Sequence, residues 1–298
     1  MNKPGKPTPI PRSLLAIAAI LAVGAGIAIA GSDEGLLAFG IPAFALATGL
    51  AFAIQIIAFL PSYIWQTERY YDLVGALTYL SVIAFVATIK GDGRSLLLAA
   101  VVSMWALRLG SFLFTRILKD GSDRRFERIK PYFFRLLVTW LLQGLWVVVT
   151  AGAALAAMSA HASAVVDITA YIGLLMWLIG FAIEVVADAQ KRAFRRDPAN
   201  DGQFIQTGIW AWSRHPNYFG EILLWLGVAV IALPALQGWQ YVTLISPVFV
   251  FLLLTRLSGV PALESHGKRR WGEDPAYQRY CANTPVLFLR PPSTSLPE

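Results

Sequence analysis

Long apolar stretches separated by short polar segments run along this chain of 298 residues. The eight stretches lie at roughly 13–30, 36–60, 71–89, 95–118, 133–158, 165–190, 218–233 and 239–257. Most approach the ~20 residues that an α-helix needs to cross a bilayer. Because Pro234 and Gly238 closely follow the short seventh stretch, the last two spans are expected to form one tight hairpin of slightly short helices. The pattern predicts an all-α fold, a polytopic membrane bundle of about eight transmembrane helices.

The two ends of the chain lie outside this pattern. The first stretch leads through Asp33 and Glu34 into the second without a convincing cleavage site, which indicates a permanent helix and not a signal peptide. Residues 1–12 and 291–298 are rich in Pro and Ser, and we expect them to be mobile tails.

Composition agrees with a membrane protein, because 56% of the residues are hydrophobic and 14% are charged. The net charge of +7 does not indicate a nucleic-acid partner, since the basic residues lie beside apolar spans, where topology and lipid headgroups explain them. The single cysteine, Cys281, excludes an internal disulfide and a cysteine-rich metal site. No metal site is expected.

Basic residues are distributed unevenly between alternate loops. With the N-terminus inside, the outer loops hold only Lys90 and Arg94, whereas the inner segments include the clusters at 116–130 and 191–214. Because positive residues concentrate on the cytoplasmic side of membranes, this asymmetry predicts that both termini are cytoplasmic.

The sixth apolar stretch contains ionisable residues at helical spacing. One helix face would carry Glu184, Asp188, Lys191 and Arg195, at intervals of four, three and four. An ionisable residue at the centre of a membrane helix costs ~2.5 to 3.5 kcal/mol on insertion scales and usually faces a polar cavity. Two carboxylates on one face therefore suggest a bound polar ligand.

Arginines follow this helix into the next loop. They are Arg192, Arg195, Arg196 and Arg214. Guanidinium groups match phosphate oxygens bidentately. For Arg192 and Arg196 we favour the alternative of contact with lipid phosphates as part of the topology signal.

The end of this loop is harder to explain by topology alone. It interleaves Trp210, Trp212, Arg214, His215, Pro216, Asn217 and Tyr218. Interfacial aromatics would account for the tryptophans, but a topology signal needs no asparagine between a proline and a tyrosine. His215 is an acid–base candidate by residue type, and a hydrogen-bonded structural histidine is the alternative.

The seventh span begins with two polar residues on one face. Asn217 and Glu221 are four residues apart, so on a helix they point toward the same neighbour, with Trp225 one turn deeper. Pro216 suits the first turn of that helix. Free amide hydrogens at a helix start favour a phosphate or a carboxylate.

The fourth span carries a second polar face. Trp105, Arg108, Phe112 and Arg116 follow each other at spacings of three, four and four. Arg108 lies about ten residues, or ~15 Å, from the cytoplasmic edge, which is too deep for it to reach lipid headgroups comfortably. It could form a buried ion pair with Asp72 or Glu184, or it could bind a cofactor directly.

These residues resemble a known family. The resemblance rests on the run Ser213–Glu221 with Trp225, preceded by Glu184, Asp188, Gln190 and Lys191. The run is similar to the bacterial DUF1295 branch of the steroid 5-alpha-reductase superfamily, 3-oxo-5-alpha-steroid 4-dehydrogenase-like proteins whose wider relatives include sterol reductases and isoprenylcysteine carboxyl methyltransferases.

The resemblance covers about residues 70–290 and implies a domain division. Residues 1–70 would form the N-terminal tail and two additional transmembrane helices, 71–290 the steroid-reductase-like domain, and 291–298 the mobile tail. It also implies a multi-pass protein of the bacterial inner membrane whose cofactor site faces the cytoplasm.

In the steroid reductases the matching helix and loop bind NADPH inside a helical bundle, and this chain accordingly has no convincing Gly-x-Gly-x-x-Gly motif after a strand. The predicted cofactor-binding residues are Arg108, Arg116, Glu184, Asp188, Arg195, Trp212, Arg214, His215, Asn217, Tyr218, Glu221 and Tyr280. Glu184 is an asparagine in the steroid enzymes, and Trp212 is a tyrosine. Both carboxylates are expected at the nicotinamide or ribose end of NADPH.

The substrate side is predicted at the start of the third span and in the fourth. There the resemblance makes Asp72 the match for the carboxylate that helps to hold the substrate carbonyl, with Tyr71 as a neighbouring donor. Trp105 stands where the steroid enzymes have a tyrosine. An indole N–H donates a hydrogen bond but cannot supply a proton as a phenol can, so the substrate stays open.

The C-terminal segment completes the resemblance. Trp271, Tyr277, Tyr280 and Thr284 resemble the superfamily's C-terminal cap, which closes over the cofactor. The alternative for residues 268–270 is an amphipathic helix on the membrane surface.

Three functions follow from these patterns. The first is a membrane reductase that transfers hydride from NADPH to an activated C=C bond of a lipophilic substrate, steroid-like or another lipid enone. The second is an S-adenosylmethionine-dependent methyltransferase, suggested by Arg214 to Tyr218 and by Glu264. The third is a noncatalytic lipid-binding or transport protein, although polar residues concentrate in the cytoplasmic half, whereas a transport path needs them on both sides. Membrane lipids are expected partners, and the oligomeric state stays open.

Overall fold

The computed structural model describes residues 10–121 and 126–292. Its helices are α1 (Ile10–Gly31), α2 (Ala43–Ile64), α3 (Tyr71–Ala87), α4 (Gly93–Asp120), α5 (Phe133–Thr150), α6 (Gly152–Ser159), α7 (Ile168–Arg196), α8 (Pro216–Ala232), α9 (Ile245–Leu252), α10 (Gly259–Trp271) and α11 (Pro275–Asn283). Strands β1 (Leu37–Ala38) and β2 (Ile41–Pro42) pair as an antiparallel hairpin. Most of the predicted mobile tails lies outside the described residues, although α1 already begins at Ile10.

The hydrophobic pattern correctly predicted an all-α membrane bundle. Among the described residues, seven helical stretches are long and apolar enough to cross a bilayer, and the 17-residue α3 is a shorter apolar helix. These eight elements lie where the eight apolar stretches were predicted.

Two spans differ from the predicted lengths. The fifth stretch is broken after Thr150, and the separate helix α6 that follows has all eight of its residues buried. The last stretch was predicted to be slightly short, and that prediction was wrong, because the membrane span covers Gly238–Trp271, 34 residues, with a bend at Ser258. It starts as a 3₁₀ turn and contains a π-helical turn at Leu253–Leu257, which changes the helix register before α10.

The chain forms two compact units, described separately below. The first unit comprises Met1–Tyr171 and Val228–Ser246, and the second comprises Ile172–Gly227 and Pro247–Glu298. In the first unit, the small residues of α6 are enclosed by other helices, and a cluster of buried side chains is formed by Phe59, Phe126, Leu136 and Trp140.

Helix α4 begins at a well-defined cap in the first unit. The carboxylate of Asp92 accepts a hydrogen bond from the Ser95 backbone N–H at 2.8 Å and forms an ion pair with Lys90 at 3.2 Å. Burial opposes the charged form of this carboxyl, but the hydrogen bonds from Ser95 and Lys90 outweigh it and hold the pKa of Asp92 below its ordinary value.

A buried arginine follows this cap directly. Arg94 is 1% exposed, and its guanidinium donates to the backbone carbonyls of Ile231 at 2.5 Å and Val165 at 2.6 Å. It also forms an ion pair with Asp167 at 2.8 Å, and hydrogen bonds from Thr169 and Arg94 hold the pKa of Asp167 well below its usual range. The charge pattern assigned Arg94 only to an outer loop. In the structure its buried side chain connects the start of α4 to residues 165–167 and to Ile231, all in the first unit.

Replacing Arg94 should therefore destabilise the first unit. We expect Arg94→Ala to lower the midpoint of thermal unfolding in detergent, because each buried carbonyl left without a donor costs about 1 to 3 kcal/mol. Arg94→Lys should recover only part of the loss, since an ammonium lacks the fork geometry of a guanidinium. The exposed Arg256, changed to Ala, is the matched control. Equal midpoints for Arg94→Ala and the control would contradict this role.

Candidate functional site

The predicted polar face of α7 lies inside the second unit. Glu184 and Asp188 are 2% and 8% exposed, whereas Lys191 and Arg195, further along the same face, line a cavity of about 710 Å³. The two carboxylates are thus buried and the two cations reach the cavity. The order along the helix is the one that the spacing of these residues predicted.

Helices α7 and α8 are in contact through glycines. A Cβ atom on Gly220 would lie 2.5 Å from the Gly180 carbonyl oxygen and 2.8 Å from the Glu184 backbone nitrogen. Small residues allow this close approach of membrane helices. It brings Asn217, in the first turn of α8, toward α7, where its amide nitrogen lies 3.4 Å from the Asp188 carboxylate.

Cations predominate among the charged residues of the cavity wall. The basic residues are Lys191, Arg195, Arg196, Arg214 and Arg270, and the acidic ones are Asp197, Asp201 and Glu264. Lys191 lies over the ring of Trp210, with its ammonium 4.4 Å from the ring centroid. Neither Lys191 nor Arg195 forms a salt bridge with any residue that the structure describes.

Glu264 of α10 fixes the two residues that precede α8. Its carboxylate binds Arg214 Nη1 at 2.5 Å and His215 Nε2 at 2.8 Å. Because an ionised carboxylate only accepts hydrogen bonds, Nε2 must carry the hydrogen, which leaves Nδ1 as the ring atom that can accept a proton. Within the described part of the chain, His215 Nδ1 and Arg214 Nε are buried atoms without a hydrogen-bond partner.

Tyr218 links this histidine to the start of α10. The ring of Tyr218 stacks on His215, with centroids 5.6 Å apart. A Cβ atom on Gly259 would lie 2.7 Å from this tyrosine ring, so only glycine leaves room for it. Tyr218 therefore packs between α8 and the start of α10.

Aromatic side chains form another wall of the cavity. Phe204 packs against Trp271, Tyr277 and Tyr280 with ring centroids 5.0 to 5.8 Å apart. The Trp271 indole donates to the Gly202 carbonyl at 2.5 Å, which ties the loop after α7 to α10.

Both tyrosines of this wall stay protonated at neutral pH. Burial raises the pKa of Tyr277 to about 12 and raises the pKa of Tyr280 further above its ordinary value. The Tyr280 hydroxyl donates to the Trp210 carbonyl at 2.8 Å. These phenols are therefore neutral hydrogen-bonding groups.

The two tryptophans of the loop before α8 differ in their environment. Trp210 is 3% exposed, donates from its indole to the Ala187 carbonyl at 3.0 Å and lines the cavity. Trp212, the residue predicted to bind the cofactor, is 42% exposed and is not among the residues that line the cavity. Trp210 lies within the 3₁₀ turn Gly208–Ala211, and Trp212 follows it.

The other predicted residues of the second unit fall into two groups. Arg195, Arg214, His215 and Tyr280 line the cavity. Glu184, Asp188 and Asn217 lie at the α7–α8 contact, and Glu221 follows Asn217 by one turn of α8. Sequence reasoning left Phe204, Trp210 and Arg270 out of the predicted site and considered Glu264 only for a methyltransferase.

The predicted substrate-side residues and two predicted cofactor ligands lie in the first unit. Asp72 forms an ion pair with Arg116 at 3.5 Å. The Tyr71 hydroxyl donates to the Thr139 carbonyl at 3.0 Å. Trp105 is 3% exposed and packs edge-on against Tyr79, with centroids 5.1 Å apart, and Arg108 lies over the ring of Phe112 at 5.6 Å.

A family model described as "Protein of unknown function (DUF1295)" matches residues 58–284. The chain belongs to the DUF1295 family. This match includes α8 and all of α7, α10 and α11, the three helices that contribute residues to the cavity wall, and it confirms the resemblance seen in the sequence.

Two of the relatives that the chain is similar to are named as a sterol enzyme and a steroid enzyme. The chain is 31% identical over 124 residues to the Delta(14)-sterol reductase LBR of Gallus gallus, covering 37% of this chain and 18% of that protein. It is 32% identical over 82 residues to 3-oxo-5-alpha-steroid 4-dehydrogenase 1 of Bos taurus, covering 28% and 30%.

An uncharacterized protein of Schizosaccharomyces pombe is 24% identical over 211 residues, which is 61% of each chain. The chain thus spans less than two thirds of the length of each of these relatives. No solved structure matches it.

The glycine contact between α7 and α8 gives a first test of the site. We expect Gly220→Ala to lower thermal stability, because forcing a methyl group into a packed contact costs about 1 to 3 kcal/mol. It should also displace the backbone at Glu184 and weaken ligand binding in the cavity. Gly49→Ala on α2 is the matched control, since no atom lies within 4 Å of that position. Unchanged melting of Gly220→Ala would mean that the contact does not set the site.

Proposed function

We propose that this membrane protein is a reductase that binds NADPH in the cavity of the second unit and reduces an activated C=C bond of a lipophilic substrate. The observation that carries the proposal is the order of charge along α7. Two buried carboxylates, Glu184 and Asp188, are followed on the same face by two cavity-lining cations, Lys191 and Arg195.

The cations fit the phosphates of a dinucleotide. Lys191 and Arg195 have no salt-bridge partner among the described residues, although both line the cavity. Lys191 is half-buried and Arg195 is exposed, and like charges on one wall repel each other, so a ligand that supplies negative charge would stabilise this wall. Arg270, on the same cavity, adds a guanidinium fork suited to phosphate oxygens.

The carboxylates fit the hydroxyl and amide donors of the same ligand. Asp188 and Glu184 can accept hydrogen bonds from ribose hydroxyls or from a carboxamide, and Asn217 can both donate and accept. The buried, unpartnered Nε of Arg214 and Nδ1 of His215 are two further groups that a polar ligand could satisfy.

NADPH, when bound, supplies the hydride. The chain would supply orientation through Lys191 and Arg195 and would exclude water through the close contact of α7 and α8. His215, held by Glu264 at 2.8 Å, presents Nδ1 as its proton-accepting atom. In the first unit, we propose that Asp72, Tyr71 and Trp105 face the substrate. Steroids and sterols are the first substrates to test, because the names of the two similar enzymes contain the words steroid and sterol.

S-adenosylmethionine is the second candidate ligand, since Arg214, His215 and Glu264 form one connected group. Its sulfonium is a cation and it has no phosphate. Basic residues predominate in the cavity wall, and Lys191 and Arg195 have no salt-bridge partner within 10–121 and 126–292, which favours NADPH over S-adenosylmethionine.

Equilibrium binding to the detergent-purified protein separates these ligands. We expect saturable NADPH binding that weakens as salt is added, because phosphate contacts are screened by ions. S-adenosylmethionine at the same concentrations should not compete. Saturable S-adenosylmethionine binding without NADPH binding would support the methyltransferase. Binding of neither ligand would support a noncatalytic protein.

Variants of the cavity cations provide the structural control. Lys191→Met should weaken NADPH binding tenfold or more, because a hydrogen bond to a charged group contributes about 1.5 to 3 kcal/mol and 1.4 kcal/mol corresponds to a factor of ten. Arg270→Ala should weaken it as well. Arg269→Ala on the same helix changes an arginine outside the cavity wall and should leave affinity unchanged. Equal affinities for all three variants would place NADPH elsewhere.

Oxidation of NADPH then tests the reaction. Turnover is measured in bilayers with a 3-oxo-Δ4 steroid and with a Δ14 sterol as two substrate classes. We expect NADPH oxidation to depend on one added lipid and to be lost in Asp188→Asn. Tight NADPH binding without oxidation in the presence of either lipid would leave the cofactor site in place and reject both substrate classes.

A further inference from the structure

The hairpin between α1 and α2 carries an exposed apolar tip. Leu37, Phe39 and Ile41 alternate along it and are 61%, 93% and 47% exposed. Leu37 pairs with Pro42 and Ala38 with Ile41, so Leu37 and Ile41 lie on opposite faces and both faces of the tip present an exposed apolar side chain. The hairpin belongs to the first unit, whereas the residues that line the cavity belong to the second.

Backbone hydrogen bonds hold the base of the hairpin. The Leu36 N–H donates to the Ser159 carbonyl at 2.7 Å, and the His161 N–H donates to the Glu34 carbonyl at 3.1 Å. The Ala43 N–H, at the start of α2, donates to the Leu36 carbonyl at 2.9 Å. The backbone thus holds the hairpin out from the end of α6.

The turn itself is unusual for its sequence. Phe39 has φ 55° and Gly40 has φ 75°, as in a two-residue turn with both central residues in the left-handed region. Asn or Asp is preferred at the first of these positions, and a bulky residue there is strained. The sequence therefore places a large apolar side chain at the tip despite a conformational penalty.

The surroundings of the hairpin favour uncharged lipid. The Asp33 carboxylate accepts from the Trp239 N–H at 2.7 Å, so the exposed Trp239 indole lies beside the same end of α1. Tryptophans concentrate at the boundary between hydrocarbon and headgroups. The neighbouring cations are already paired, Lys90 with Asp92 and Arg94 with Asp167. The acidic partners neutralise Lys90 and Arg94, so these cations would attract anionic headgroups only weakly.

The apolar tip is also continuous with the lipid-facing surface of the spans. β2 ends at Pro42 and α2 begins at Ala43, and Ile29 on the last turns of α1 is 76% exposed. We propose that the hairpin at residues 37–42 inserts into the bilayer and contacts the acyl chains and glycerol region of the leaflet at this end of α1. It would anchor the two N-terminal spans at a fixed depth.

Site-directed spin labelling tests this contact in the full-length protein. Cys281→Ser removes the only native cysteine, and Phe39→Cys then carries a nitroxide in phosphatidylcholine bilayers. Ile57→Cys on the exposed face of α2 is the lipid-facing control, and the exposed Ala282→Cys on α11 is the aqueous control. Leu37→Cys is a second reporter if the strained turn does not accept the first label.

We expect the hairpin labels to collide more often with oxygen, which partitions into lipid, than with a water-soluble nickel chelate. Their ratio of the two accessibilities should resemble that of Ile57→Cys and be several-fold above that of Ala282→Cys. A nickel accessibility equal to that of Ala282→Cys would overturn the proposal, because the hairpin would then lie in water. Low accessibility to both reagents, with dipolar broadening between labels, would also overturn it by showing a second protein copy on the tip.

Discussion

The second unit depends on one constraint, which is that two carboxylates of α7 are buried in a helix apolar enough to cross a membrane. Glu184 and Asp188 can occupy that position only if polar groups surround them, since an unpaired charge in a low-dielectric interior is strongly unfavourable. The glycine contact at Gly180 and Gly220 brings α8 close enough for Asn217 to reach Asp188. The same glycine contact thus packs the two helices and brings a polar side chain to the buried carboxylate.

The remaining parts of the site extend this arrangement toward the C-terminus. The π-helical turn at Leu253–Leu257 precedes α10, whose Glu264 binds Arg214 and His215. The aromatic wall around Phe204 ties the loop after α7 to α10 and α11. The residues beyond the predicted end of the last span thus contribute one side of this cavity.

Local periodicity was sufficient for some of these features. The spans follow from hydropathy, because backbone groups in a bilayer must be satisfied within helices. The face from Glu184 to Arg195 follows from the 3.6-residue repeat of one helix, and the structure places these residues as that repeat requires.

Features that depend on contacts distant in sequence could not be predicted in this way. Arg94 binds carbonyls that lie about 70 and 140 residues further along the sequence, and a local sequence pattern cannot predict such a contact. Which of Trp210 and Trp212 is buried depends on a partner distant in sequence, the Ala187 carbonyl that accepts from the Trp210 indole. The extended last span was missed because charges in α10 lower its hydropathy, although a helix needs no apolar surface where it leaves the membrane.

The central claim is that a dinucleotide satisfies the buried charge of α7. The most direct measurement is an electron cryo-microscopy structure of the protein purified in the presence of NADPH. The account predicts density in the cavity with phosphates beside Lys191 and Arg195 and a sugar or amide group beside Asp188. A collapsed cavity, with Lys191 and Arg195 each paired to an acidic side chain of the protein, would contradict it.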